Sequence, residues 1–408
     1  MQRVAVISLH TSPLAQPGSG DSGGMNVYVR ELVSSLAQAG VECITYTRAD
    51  RPGLPDEVLI EPNHRVVHVE AGPYRLPKES LCEVIEPFTD GVLAHLDRDG
   101  RPDVVHANYW LSGLVGHRVK HVLDVPFVAT FHTLARVKAE GGDPEPAWRD
   151  RAEAEITTCA DAICVSCTEE ELQFRRLYGD PEGRIEIVAP GVEHAFFAPG
   201  DRGGARAALD LPGDRPVLLF VGRIQPLKGP DVAVRTLAEL ARRHDHRDAL
   251  LVVVGGASGA EGDGETERTQ ELVRELGLAD RVRFVPPQPH HILSTYYRAA
   301  DVVLVPSRSE SFGLVALEAA ACGIPVVASG VGGLLSLVDH DETGILVPDR
   351  DPARFAEAVA RVLGDPVLAA SMSRRAAERA SAYTWGFAAA RLRRLYHDLA
   401  AERLVACR

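Results

Sequence analysis

The chain has 408 residues, 45% apolar and 25% charged, a globular composition whose length, at ~150 residues per domain, points to two or three domains. Forty-four Lys and Arg against 57 Asp and Glu leave a formal charge of −13. That balance argues against nucleic acid or an anionic membrane as partner, since both need clustered cations, and leaves only local pockets for phosphates.

Strand-like runs alternate with helical patterns from the start. Met1–Ser8 enters the first of them with no secretory signal, and no apolar stretch nears the ~20 residues that span a bilayer. A soluble, cytoplasmic protein is expected. The strand candidates of the first half are Arg3–Leu9, Glu42–Tyr46, Val66–Glu70, Asp103–His106, Pro126–Thr130, Ala162–Val165 and Ile185–Val188. Several are unbroken Val/Ile runs, as strands covered on both faces should be. Between them Asn26–Ala39, Leu111–Val122 and Glu169–Tyr178 carry amphipathic helical patterns. Phe197–Gly204 is a Pro/Gly-rich polar joint. The alternation then restarts with Pro216–Val221, Ala249–Val254, Val282–Val285, Asp301–Val305 and Pro325–Ala328. The predicted class is α/β: two doubly wound, Rossmann-like domains facing across a cleft, over residues 1–200 and 210–385, with the boundary near 198–212. A helical tail, Phe387–Leu404 within residues 386–408, is expected to return to the first domain. Ligands should lie beyond the carboxyl ends of the strands.

The seven cysteines are scattered and odd in number, which does not suit a disulfide framework. Cys164-Val-Ser-Cys167 is formally a CxxC pair, but no second pair stands at zinc-finger spacing. Its strand-like setting reads as core, and no metal site is assigned to the cysteines.

Three segments carry candidate chemistry. Gly18-Ser-Gly20-Asp-Ser-Gly23-Gly24 precedes a helix and matches G-x-G-x-x-G, but His10–Pro17 separates it from its strand, unlike a dinucleotide fingerprint. A long loop ending at a helix N-terminus suits closure over a phosphate. In the second half, Gly222-Arg223-Ile-Gln-Pro-Leu-Lys228-Gly229 puts a guanidinium fork, an ammonium and a helix N-terminus at one strand end, as a diphosphate requires. After a later strand, Glu310 and Glu318 stand about two helical turns apart on a segment rich in apolar residues. Carboxylates suit sugar hydroxyls, and a buried Glu needs a partner, so ligand contact is expected. The plainer readings are a surface loop, solvated turn charges and a helix cap.

Arg223…Lys228 with the Glu310-x7-Glu318 pair resembles the retaining, nucleotide-sugar-dependent glycosyltransferases of the GT-B fold and glycosyltransferase 4 type. His10-Thr-Ser-Pro-Leu-Ala-Gln16-Pro17-Gly18, Gly23-Gly24-Met25-Asn26-Val-Tyr, Tyr109-Trp-Leu-Ser-Gly113 and Phe131-His132-Thr133…Lys138 resemble the D-inositol 3-phosphate glycosyltransferase family, over nearly the whole chain. The resemblance implies transfer of N-acetylglucosamine from UDP-N-acetylglucosamine to 1D-myo-inositol 3-phosphate, the first step of mycothiol biosynthesis. It implies catalytic roles for Arg223, Lys228, Glu310 and His132. On the donor side it implies Gln16, Pro17, Gly24, Arg223, Lys228, Gln288, Glu310 and Glu318, with Gln288 acting through its main chain where the family carries an apolar residue.

For the acceptor it implies His10, Asp21, Ser22, Gly23, Gly24, Met25 and Asn26 around the inositol, and Lys78, Tyr109, Thr133 and Arg149 as a phosphate-binding set. Arg149 and Arg151 compete for the last position, with spacing to Glu153 favouring Arg149. A magnesium ion against main-chain groups near Tyr297, Arg298 and Ala300, with Ile324 in place of a customary Thr, is implied as well, without a part in the chemistry. A homodimer is also expected. The alternatives are a glycosyltransferase for an unphosphorylated polyol or aminocyclitol, an NAD-dependent oxidoreductase using the Gly18–Gly23 loop, and a non-catalytic sugar-nucleotide sensor. The oxidoreductase leaves Glu310 and Glu318 unexplained.

Overall fold

The computed structural model describes residues 2–18, 20–242, 246, 248–257 and 262–407. They form two compact units: Met1–Ala15, Gly24–Gly191 and Trp385–Arg408 make the first, Gln16–Gly23 and Val192–Thr384 the second.

The first unit contains β1 (Arg3–Ile7), α1 (Gly24–Gln38), β2 (Glu42–Arg48), β3 (Glu57–Glu61), β4 (His64–Val69), α2 (Ile85–Asp99), β5 (Val104–Asn108), α3 (Trp110–Leu123), β6 (Phe127–Thr130), α4 (Ala135–Glu140), α5 (Ala147–Cys159), β7 (Ala162–Val165), α6 (Thr168–Tyr178) and β8 (Arg184–Ile187). Its sheet runs β3-β4-β2-β1-β5-β6-β7-β8. All neighbours are parallel except the edge pair β3–β4. The inner strands lack polar alternation because helices cover both faces. Val4, Ala5, Val6 and Ile7 are all at most 2% exposed.

The second unit contains α7 (Arg202–Ala208), β9 (Val217–Val221), α8 (Pro230–Ala241), β10 (Leu250–Val254), α9 (Gly262–Glu275), β11 (Val282–Val285), α10 (His290–Ala299), β12 (Val302–Val305), α11 (Leu314–Ala321), β13 (Val326–Ser329), α12 (Leu334–Leu337), β14 (Gly344–Val347), α13 (Pro352–Gly364) and α14 (Pro366–Ala380). Its sheet is parallel throughout, in the order β11-β10-β9-β12-β13-β14, the doubly wound 3-2-1-4-5-6 pattern. The chain ends in α15 (Trp385–Ala401), which packs beside α1 on the first sheet. Trp385, Leu392, Leu395, Tyr396 and Leu399 are buried there. At about 1.5–3 kcal/mol per fully buried large apolar side chain, these five anchor the helix firmly.

β1 pairs with both β2 and β5, and β9 with both β10 and β12. Each sheet therefore changes winding direction at one strand, and the crevice beyond the carboxyl end of that strand is where such sheets hold ligands.

The structure departs from the sequence reading in four places. Glu57–Glu61 and Gly344–Val347 are strands that it omitted. Gln16–Gly23 and the segment from Val192 group with the second unit rather than with the span 1–200. The last helix ends at Ala401, after which Val405 accepts from Lys120 Nζ (3.0 Å) and donates to Asp161 Oδ1 (2.6 Å). Cys43, Cys164, Cys167 and Cys322 are buried, and burial pushes the Cys164 thiol up to about 12. Cys159 and Cys407, however, are paired as a disulfide across 248 residues, a separation no spacing rule anticipates.

Candidate active site

In the first unit the strand ends present His10 after β1, Tyr109 after β5, and His132 and Thr133 after β6. Tyr109 (φ 78) and His132 (φ 61) have left-handed backbones. Among the described residues the other non-glycine positions of this kind are Asn or Asp, whose short side chains tolerate it. A Tyr and a His held so cost on the order of 1–3 kcal/mol each, strain that gathers at functional sites.

Tyr109 is the centre of a cationic cluster. The His10 ring lies 4.3 Å from its ring, Lys78 Nζ lies 5.6 Å from its centroid, and Arg149 Cζ 5.0 Å. Arg149 donates to Tyr109 Oη (3.2 Å), to Thr133 O (2.9 Å) and Oγ1 (3.0 Å), and through Nε to Glu153 Oε1 (2.8 Å). Its Nη1 also pairs with Glu145 at 2.9 Å. Burial pulls the Arg149 guanidinium down, but Tyr109, Glu153 and Glu145 outweigh it and leave the group above its ordinary value. Glu145 is shared with Lys138. Burial pushes its carboxyl up, and Arg149, Lys138 and Lys78 reverse that to hold it below the usual range. A carboxylate thus already sits among the cations assigned to a phosphate.

His132 Nε2 bonds Asn108 Oδ1 at 2.9 Å. Burial, and then His106, push its imidazole down to about 3, so it is neutral at physiological pH and serves neither as a cation nor as a strong base. Asn26 donates to Thr11 Oγ1 (3.0 Å) and Ser12 O (2.8 Å). Both of its donors are spent bracing the loop after β1.

In the second unit the turn after β9 carries Arg223 and Lys228. Gly229, the N-cap of α8, has φ 75, and a Cβ there would stand 2.5 Å from Pro306 O. The Arg308 N–H donates to Leu227 O (2.8 Å), lacing this turn to the one after β12. Lys228 Nζ consequently meets Glu310 Oε2 at 2.6 Å, with Ser307 Oγ 3.3 Å from the same oxygen. The residues expected on diphosphate and sugar form one ion pair. Glu318, only 6% exposed on α11, has His290 Nε2 on Oε1 and Tyr297 Oη on Oε2, both at 2.7 Å. Burial and Glu318 hold the Tyr297 phenol well above its ordinary value, so it remains a donor. Two protein donors therefore already hold the Glu318 carboxylate, one on each oxygen, and each oxygen keeps further acceptor capacity.

The glycine loop lies against the same strand ends. Gln16 Nε2 donates to Gln288 O (2.6 Å), and Gly18 N to Ser22 O (2.8 Å). A Cβ on Gly18 would come within 3.2 Å of Pro287, and one on Gly23 within 3.2 Å of Arg223 Nε. The Gln288 carbonyl expected on a base is therefore already engaged by Gln16.

Of the predicted set, His10, Lys78, Tyr109, Thr133 and Arg149 converge in the first unit, with Gly24, Met25 and Asn26 at the start of α1. Arg149 is buried in the cluster and Arg151 is exposed. Gln16, Pro17, Arg223, Lys228, Gln288, Glu310 and Glu318 belong to the second unit, as do Asp21, Ser22 and Gly23. Tyr297, Arg298 and Ala300 mark the carbonyl end of α10, where Ala300 N donates to Tyr297 O. Ile324 N is bonded to Ala319 O. Main-chain oxygens at a helix C-terminus fit a hard cation in type and in dipole. Sequence reasoning named Glu153 and Lys138 without a site role and missed Glu145 and His290. The i±4 spacing of Glu145 and Glu153 about Arg149 was the available signal.

A model of glycosyl transferases group 1 matches residues 201–379, and one of the glycosyl transferase 4-like domain matches residues 23–191. The solved sucrose-phosphate synthase of Thermosynechococcus elongatus superposes with a TM-score of 0.92 at 36% identity, covering 98% of this chain and 100% of that one. Two doubly wound domains with these matches make the chain a GT-B glycosyltransferase. A D-inositol 3-phosphate glycosyltransferase of Acidothermus cellulolyticus is 47% identical over 99% of this chain and 92% of its own length. One from Catenulispora acidiphila is 48% identical over 95% and 93%. The chain belongs to the D-inositol 3-phosphate glycosyltransferase family.

Proposed function

We propose that the chain transfers N-acetylglucosamine from UDP-N-acetylglucosamine to 1D-myo-inositol 3-phosphate with retention of configuration, the first step of mycothiol biosynthesis. The observation that carries this reading is the convergence of Lys78 and Arg149 on Tyr109, with Thr133 held by Arg149. Lys, Arg, Tyr and Thr together suit a phosphate monoester, and the relatives are named for that acceptor.

In this reading Arg223 and Lys228 receive the diphosphate and stabilise charge on the departing UDP. Glu310 pre-orients Lys228 and then meets sugar hydroxyls. Glu318 meets the ribose through the lone pairs left by His290 and Tyr297. Gln16, Pro17, Gly24 and Gln288 complete the donor side. A front-face displacement follows, in which an oxygen of the leaving phosphate accepts the proton of the attacking inositol hydroxyl. Neutral His132 orients the sugar. Asp21, Ser22, Gly23, Met25 and His10 border the inositol ring. Mg2+ at the carbonyl end of α10 would brace the helix that carries His290 and Tyr297, and would take no part in the transfer. A cytoplasmic homodimer completes the proposal.

Glu145 and Glu153 already compensate Arg149 and Lys138, and this favours a second reading: an unphosphorylated polyol acceptor that needs no free cation. Incubation of the chain with UDP-N-acetylglucosamine and inositol 3-phosphate, followed by mass and NMR analysis, decides. An α-linked phosphorylated glycoside supports the proposal, and a product formed only from unphosphorylated polyol replaces it.

A further inference from the structure

The first unit gathers four groups of zinc-ligand type that glycosyl transfer does not use. His117 and His121 stand one turn apart on α3, so both imidazoles leave the same face. Cys159 closes α5, and Cys407 arrives from the tail beyond α15. One ligand atom from each lies within 4.8 Å of those of the other three. His117 Nε2 is 3.0 Å from His121 Nε2, which is 3.5 Å from Cys159 Sγ. With Zn–N near 2.0–2.1 Å and Zn–S near 2.3 Å, tetrahedral ligand atoms stand on the order of 3.3–3.8 Å apart, so the imidazoles need only small adjustments, while the bonded sulfurs of Cys159 and Cys407 must be reduced and part to admit an ion.

We propose that His117, His121, Cys159 and Cys407 form a tetrahedral Cys2His2 zinc site that fastens the C-terminal tail to the first unit. Three surrounding features suit it. Glu155 Oε1 lies 2.9 Å from His117 Nδ1, the carboxylate–histidine arrangement that turns Nε2 toward a metal. Cys407 is brought in by contacts independent of sulfur: Lys120 Nζ donates to Cys159 O (2.7 Å) and Val405 O (3.0 Å), and Val405 N to Asp161 Oδ1 (2.6 Å). His117 and His121 also line an open groove of about 830 Å³ with Glu86 and Asp90, which gives the ion a path in. With four protein ligands no coordination position is left for substrate, so the site is structural.

Cys159 and Cys407 stand as a disulfide with Cα atoms 4.6 Å apart. In the reduced pair, each thiol gives up its proton as its sulfur bonds Zn2+, and no electrons move. The oxidised and zinc-bound forms therefore exclude one another.

The test uses the full chain, purified in thiol reductant without a metal-affinity tag, and scored by elemental analysis and by the spectrum after exchange with Co2+. One zinc per chain is expected, with a tetrahedral cobalt spectrum and a thiolate charge-transfer band. Cys407→Ser and His121→Asn should each lower zinc content about tenfold. Cys407→Ser lies in the tail, where folding is least at risk. Chelation should lower the melting temperature of the reduced wild type by several degrees and leave that of Cys407→Ser unmoved. A reduced wild type that takes up no zinc, zinc retained in both variants, or a Cys159–Cys407 bridge that survives the reductant would each overturn the proposal.

Discussion

Lys228 and Glu310 illustrate how a single contact changes the meaning of a residue. Each alone suits one part of a nucleotide sugar, but at 2.6 Å they form a pair in which the carboxylate aims the ammonium. Lys228→Ala should lower kcat/KM by about 10²–10³, the usual loss of one preorganised charge stabiliser, with the denaturation midpoint little changed. Near-normal turnover would remove its role. In the proposed reading an acceptor phosphate must displace Glu145 from Arg149, so Glu145→Gln should lower the acceptor KM several-fold; an unchanged or higher KM would exclude that competition. Glu153 is fully buried against Arg149, with Ala135 N (2.8 Å) and Tyr178 Oη on its other oxygen. Glu153→Ala leaves the buried guanidinium with Glu145 as its remaining carboxylate partner and should cost on the order of 3 kcal/mol, read by chemical denaturation. The members of this cluster came from the family resemblance, not from spacing or composition. Glu145 could have been found from its i,i+4 spacing to Arg149, but that His290 and Tyr297 hold Glu318 depends on packing between helices that no spacing reports.

At the scale of elements, the buried strands were the most legible part, since a parallel strand covered on both faces has little freedom to be anything but apolar. Glu57–Glu61 escaped because an antiparallel edge strand is largely exposed and keeps its glutamates. Gly344–Val347 escaped because its four residues follow a turn-rich stretch. The packing of α15 has a titratable consequence. His106 on β5 bonds Tyr396 Oη (2.6 Å) and Thr130 Oγ1 (2.8 Å), and burial pushes its imidazole from 6.5 down to about 3. In the folded chain it stays neutral through that interval, whereas unfolded it takes up a proton below about pH 6.5. The unfolded state thus binds more protons between those limits, and stability falls as pH drops, by up to about 1.4 kcal/mol per pH unit. His132 acts in the same direction. His106→Gln should flatten the slope of melting temperature against pH between pH 6 and 4.5. An unchanged slope would assign acid sensitivity to other groups.

For the molecule as a whole, a chain of net charge −13 nevertheless gathers cations at strand ends, Arg223 and Lys228 after β9 in the second unit and Lys78 and Arg149 beside Tyr109, after β5, in the first. Among the described residues no helix is long and apolar enough to cross a membrane. The doubly wound architecture was legible because alternation of strand and helix with continuous apolar strands admits few other arrangements. The joining of Cys407 to Cys159 was not, because it follows from the return of the chain along α15. The central claim is that the Lys78–Tyr109–Thr133–Arg149 cluster selects a phosphorylated acceptor. It is tested most directly by kcat/KM for inositol 3-phosphate against inositol, in the wild type and in Lys78→Ala. The account predicts a preference of at least about a hundredfold for the phosphorylated acceptor, falling about tenfold or more in the variant through loss of the phosphorylated rate alone. Equal rates for both acceptors in the wild type, or a preference untouched by Lys78→Ala, would contradict it.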